Sequence, residues 1–289
     1  MKPTILTGVL VLAAGVPALM AQATQPQSQA NQPQAGQSQP AAHQPQPKSK
    51  EEAQALQAIV AAQDPDARIQ ASENLLTKFA DTDYKELALF MEAASYQQKN
   101  DLDKMQIYAE RTLEVNPKNF QAMLMIADKL AMTTREHDLD RDEKLAKGEK
   151  YANGAIDELK VTPKPNPQIT DQQWDDAKKD LTAEAHNALG LMAMTRKKND
   201  IAINEFKAAV DDGSHVEPAY EVRLAFAYQA DGKNDDAIAL CDKIMADPQA
   251  QPSIKSAAKG VRDTATQAKS GGAKPAPSNN TVPQVEIKK

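Results

Sequence analysis

Residues 186–211 read HNALGLMAMTRKKNDIAINEFKAAVD, and 35 positions later residues 221–246 read EVRLAFAYQADGKNDDAIALCDKIMA. Leu189-Gly190, Ala202-Ile203 and Phe206 return there as Leu224-Ala225, Ala237-Ile238 and Cys241. A fixed step of about 34 residues marks a chain of stacked units, each burying its apolar face only against its neighbours. Between residues 50 and 269 glycine is scarce and apolar residues return at helical spacing, so this region is predicted all-helical. Small residues such as Ala93, Gly190, Ala202 and Ala237 let two helices approach closely. Tyr96, Phe206 and Tyr228 fill the spaces between helix pairs, as a close-packed interior requires.

Earlier units fit once two interruptions are allowed. In 86–118, Ala93, Tyr96, Met105, Ala109 and Pro117 keep the spacing, and Ala127 and Leu130 follow Ala93 and Tyr96 by 34. Gly148, Ala152 and Ala155 trail Met105, Ala109 and Thr112 by 43, so about nine residues are inserted around 135–143. A second insertion of about 20 residues lies near 161–176, between Ala155 and Ala209. It holds Pro163, Pro165 and Pro167, which cannot continue a helix. Thr170 is then expected to cap a new helix, with Asp171 at its positive end and Trp174 in its second turn. A degenerate first unit takes 51–83, with helices over 51–62 and 66–79. A last helix over 253–268 covers the open end, as a terminal unit must.

The next unit, 218–250, carries Leu224, Ala225, Tyr228, Gly232, Ala237, Cys241, Ile244 and Pro248 in order. This series resembles the tetratricopeptide repeat, with Cys241 and Ile244 as loose matches. The resemblance implies an all-α, right-handed α-α superhelical solenoid of about five helix pairs plus a C-terminal capping helix. It also implies a concave groove lined by the first helix of each pair. Carried onto this chain, its partner-binding residues are Leu87, Phe90, Leu124, Asn187, Leu191, Met194, Val222 and Phe226. The same face takes in Asp128, Glu184, Ala219 and Gln229. The family's carboxylate-clamp form uses lysine and asparagine there. No lysine stands at any of these positions, so gripping a peptide C-terminus is disfavoured.

The ends read differently. Lys2, a short apolar run over 5–16 and Ala21-Gln22-Ala23 form a signal-peptide pattern, expected to be cleaved after Ala23. The competing reading, a retained anchor, is disfavoured because a span needs about 20 apolar residues and this run is shorter. Residues 24–49 are nearly all Gln, Pro, Ala and Ser and are expected to form a disordered tether, with a similar tail over 270–289. The chain is therefore expected to be exported, periplasmic or secreted, with no stable membrane span after cleavage.

With 40 acidic and 34 basic residues the chain is mildly acidic, which argues against nucleic acid as a partner. Cys241 is the only cysteine and falls at an apolar repeat position, so it reads as a small buried hydrophobe. No nucleophile elbow, phosphate-binding loop or paired metal ligands appear, so neither catalysis nor a cofactor is expected. Asp138, Asp140, Asp142 and Glu149 have calcium-loop spacing, but Glu143 stands where the sharp turn needs glycine. Capping of the delayed helix by Asp140 or Asp142 is the simpler account, and no metal is expected. His186 takes an aromatic position of the repeat and reads as a packed ring. The function expected is a non-catalytic scaffold binding a protein or peptide in an apolar groove. The second reading is a structural protein that assembles with its own copies.

Overall fold

The computed structural model describes residues 45–271. The signal segment 1–23, nearly all of the tether and nearly all of the tail lie outside the described residues. Within them the chain forms helices and no strand. Five antiparallel pairs follow one another: α1 (Lys50–Ala61) with α2 (Pro65–Lys78), α3 (Lys85–Gln98) with α4 (Leu102–Val115), and α5 (Phe120–Thr133) with α6 (Arg141–Val161). Then come α7 (Asp171–Thr195) with α8 (Asn199–Asp211), α9 (Pro218–Ala230) with α10 (Asn234–Ala246), and the final α11 (Pro252–Lys269).

Local chemistry sets the boundaries. Ser49, Asp64 and Asn119 each accept a bond from the N–H of the first turn they precede, and Pro65 opens α2 where no N–H is needed. Three of the turns inside pairs close identically. Asp101 N–H donates to Tyr96 O, Lys198 to Ala193 and Lys233 to Tyr228, each at 2.9 Å. Each turn holds one left-handed residue, Asn100, Lys197 or Gly232, which is the αL helix ending that satisfies the last carbonyls. Gly232 adopts it without strain, whereas Lys197 crowds its Cβ against the backbone.

Each helix packs on the next, so the core runs through the molecule as overlapping groups rather than one centre. Leu56, Ile59, Leu75 and Met91 join α1 to α3, and Met105, Ala109 and Ile126 join α3 to α5. Leu159, Met192 and Phe206 lie in the group over α5 to α9, and Val222, Ile244 and Ile254 join α9 to α11. Among odd-numbered helices, α5 also packs on α7 and α9 on α11, while no two even-numbered helices pack as closely. A stack tighter on one side bends toward that side, so the odd helices form the inner layer.

Both insertions are part loop and part helix. The first divides between the 134–140 loop and α6, which runs 21 residues against 14 for α4. The second divides between the proline segment 162–170 and the extra N-terminal turns of α7, which is 25 residues long. Thr170 caps α7 in a full capping box with Gln173, as expected. Trp174 is buried one turn later, and its indole N–H donates to Thr162 O at 3.3 Å, pinning the proline segment to the new helix.

Candidate functional site

The inner layer decides what a partner could touch. Of the residues carried over from the repeat pattern, Phe90, Leu124, Asn187, Leu191 and Val222 are buried. Phe90 joins the α2–α5 core, Leu124 and Leu191 the central core, and Val222 the α9–α11 core. Leu87, Met194 and Phe226 stay half-buried. The eight residues are thus distributed along the stack and form no single apolar patch. The long α7 explains part of this, since it lies along α5 and covers the face on which Leu124 sits.

A buried polar group lies within that layer, with the half-buried Asp128 and Glu184 beside it. Arg223 on α9, 4% exposed, donates from Nη1 to Asn187 Oδ1 on α7 at 2.6 Å. Its guanidinium lies 6.0 Å from the Tyr220 ring. Burial disfavours its charge, and Tyr220, Asp128 and Glu217 work in the opposite direction. The Tyr220 hydroxyl holds its proton far above the ordinary range, first through burial and then through the negative Glu184 and Asp128. A polar band therefore crosses α5, α7 and α9 through Asp128, Glu184, Asn187, Tyr220 and Arg223. Sequence reasoning placed three of these on the inner face and missed Tyr220 and Arg223. An available signal was arginine between Val222 and Leu224 in a helix apolar on both sides.

The other residues singled out have structural partners. His186 Nδ1 lies 2.8 Å from Glu205 Oε2 on α8, joining the helices of one pair. Cys241 is fully buried, and burial pushes its thiol up to about 11, so it stays protonated. Asp140 precedes α6 without a side-chain capping bond and pairs with Lys144 at 2.9 Å. Asp138 accepts from Arg135 N–H at 3.0 Å. Arg196, just past α7, donates from Nε to Glu149 Oε1 and from Nη1 to Asp142 Oδ1, both at 3.0 Å. The four carboxylates of the calcium spacing thus face cations and backbone instead of one another. Among the described residues no group of three or more metal-ligating side chains converges.

Arg196 therefore ties the α7–α8 turn to the added turns of α6, and Lys197 pairs with Glu136 of the inserted loop beside it. Arg196→Ala is expected to raise amide hydrogen exchange over 141–149 by roughly ten-fold while leaving α3 and α4 unchanged. Exchange measured by mass spectrometry on peptides from both regions checks it.

Clefts also open between the helices. A cleft of about 830 Å³ lies between α4, α5 and α6 where the first insertion begins, and its lysines are paired: Lys99 with Asp66, Lys129 with Asp103, Lys144 with Asp140, Lys147 with Glu110. A smaller one, of about 120 Å³, lies between α7, the 213–217 turn and α9.

Five helix pairs in series, three of them closed by the same turn, decide the architecture. The chain is a helical-repeat protein of helix pairs stacked in series, the architecture that the resemblance to the tetratricopeptide repeat implies. It is similar to a thermophilic TPR protein of Thermus thermophilus, at 18% identity over 73% of this chain and 98% of that one, with a TM-score of 0.43. No protein-family model matches the sequence, and no curated protein matches it. Among the described residues no helix is long and apolar enough to cross a membrane.

Proposed function

We propose that the chain is a non-catalytic scaffold of the bacterial cell envelope that holds a segment of a protein partner along its inner layer. The observation carrying this reading is the polar band over α5, α7 and α9, flanked by the half-buried Met194 and Phe226. The half-buried Asp128 on α5 and Glu184 on α7, beside those two apolar side chains, offer a partner register and contact area together. The Lys2 and Ala21-Gln22-Ala23 pattern supports export.

A photo-crosslinking amino acid at position 184, 194 or 226 is expected to capture the same partner from a native envelope fraction. The same group at Ile107, exposed on α4, is expected to capture none of it. Adducts from position 107 alone would overturn the inner-layer reading. Adducts of twice the chain's own mass, together with a concentration-dependent size in light scattering, would favour the self-assembling structural protein. Recovery of the chain only in the cytoplasmic fraction would remove the envelope assignment.

A further inference from the structure

Among the described residues the first repeat, α1 with α2, packs closely on one helix of the remaining stack, α3. The two ends of that junction are held differently. At the α2–α3 turn the Thr82 hydroxyl donates to Glu52 Oε1 at 2.6 Å and the Tyr84 hydroxyl to Pro45 O at 2.9 Å, while Lys48 pairs with Asp81 at 3.1 Å. These contacts join the start of α1 to the turn and lie beside any pivot at residues 79–84. At the far end of α2, Arg68 Nη1 donates to Ser95 Oγ at 3.4 Å and to Gln98 Oε1 at 3.3 Å, and Lys99 pairs with the exposed Asp66. Long or solvent-exposed contacts of this kind hold a junction weakly.

Between the two ends the junction buries polar groups without satisfying them. Ser72 lies on the α2 stripe between Ile69 and Leu75; it is fully buried, and its hydroxyl has no partner among the described residues. Glu92 on α3 is buried with both carboxyl oxygens poorly satisfied. The charged and titratable groups facing it are Glu73 from α2 and Tyr108 and Arg111 from α4. Glu73 opposes a negative charge there, and the attraction of the exposed Arg111 does not offset the burial. A terminal repeat is held by one neighbour, so it is the unit that opens at least cost. Parting α2 from α3 gives Ser72 and Glu92 to water, which removes the cost of leaving them unpaired.

We infer that the first repeat is an arm that swings out about residues 79–84 and is released when Glu92 ionises. The closed arm favours the neutral carboxyl and the open arm an ordinary one. Below about pH 4.5 the group is neutral in both states and the arm stays latched. As pH rises from about 4.5 to 7 the open fraction grows about ten-fold per unit, and above 7 it is level. The device needs no partner, so it stands apart from the scaffold reading.

Native-state hydrogen exchange of the full chain at pH 5 and pH 8, corrected for intrinsic rates, tests it. Protection over α1 and α2 is expected to fall roughly 70-fold between the two pH values, and protection over α9 and α10 by less than about three-fold. Glu92→Gln is expected to hold protection over α1 and α2 equal at both. Ser72→Cys supplies a second readout, because Cys241 in the same chain is fully buried on α10 and serves as the reference. The ratio of their modification rates by methyl methanethiosulfonate cancels the intrinsic pH dependence of a thiol and is expected to rise by the same factor. An equal loss of protection along the whole stack would place the effect on global unfolding and overturn the arm. A loss that persists in Glu92→Gln, or a thiol ratio constant from pH 5 to 8, would overturn it as well.

Discussion

Glu92→Leu is expected to raise stability at pH 8 by about 3 kcal/mol and to abolish a decline expected of the natural chain between about pH 4.5 and 7. Glu92 sits on α3 immediately before Ala93, where the other units carry Ile126, Leu189 and Leu224. It is 1% exposed, and its contact with the Tyr108 hydroxyl falls short of a well-formed hydrogen bond, which leaves both carboxyl oxygens poorly satisfied. Burial pushes its carboxyl up to about 7, with Glu73 on α2 adding to the rise. The Tyr108 hydroxyl and Arg111, both on α4, lower it without offsetting the burial.

The sign follows from proton counting. Below about pH 4.5 the group is neutral in both states and contributes no pH-dependent cost. As pH rises the unfolded chain ionises first, so stability falls until the folded group titrates near 7, and it stays level above that. Leucine has no proton to lose and matches the residue type of the other units. Glu92→Gln would flatten the pH profile with a smaller gain, because a buried amide still lacks partners. Urea unfolding at pH 4.5, 6 and 8 checks all three chains. Parallel curves for the natural chain and the Glu92→Leu variant across that range would refute the account.

Glu92 also shows where the sequence was legible. Periodicity needs only a majority of positions to agree, so one acid at a core position left the repeat readable while its own burial went unnoticed. Thr170 announced its helix because a cap acts within three residues of itself. The insertions were legible as offsets but not as structure. Proline marked the 162–170 segment, whereas nothing local distinguishes the added turns of α6 and α7 from an irregular excursion. The inner face was harder for a physical reason. Whether Leu191 meets solvent or α5 depends on how closely repeats stack, and the extra turns of α7 alter that stacking from a distance. Arg223 escaped because its partner lies on another helix, Asn187 being 36 residues away.

Gly190→Ala is expected to cost about 2 kcal/mol in the natural chain and to stabilise by about 1 kcal/mol once Phe206 is also alanine. A Cβ on Gly190 would lie 2.5 Å from Phe206 Cε1 and 2.9 Å from Cζ, inside contact distance of a fully buried ring. The repeat itself shows the rule. At the equivalent positions the pairs are Ala93 with Ala109, Ala127 with Ala152, and Ala225 with Cys241. Glycine appears on the first helix only where the second carries phenylalanine. Phe206→Ala alone should cost about 4 kcal/mol through lost burial and the cavity left behind. In that background the clash is gone, and the helical preference of alanine over glycine, about 1 kcal/mol, becomes visible. Gly148→Ala is the internal control. Its Cβ would meet Met192 Sδ at 2.6 Å, but a flexible thioether can turn aside where a packed ring cannot. Urea unfolding of the four chains in the cycle gives the coupling directly. If Gly190→Ala has the same sign and size with and without the Phe206 ring, the two positions do not share one volume, and the packing rule drawn from the repeat is wrong.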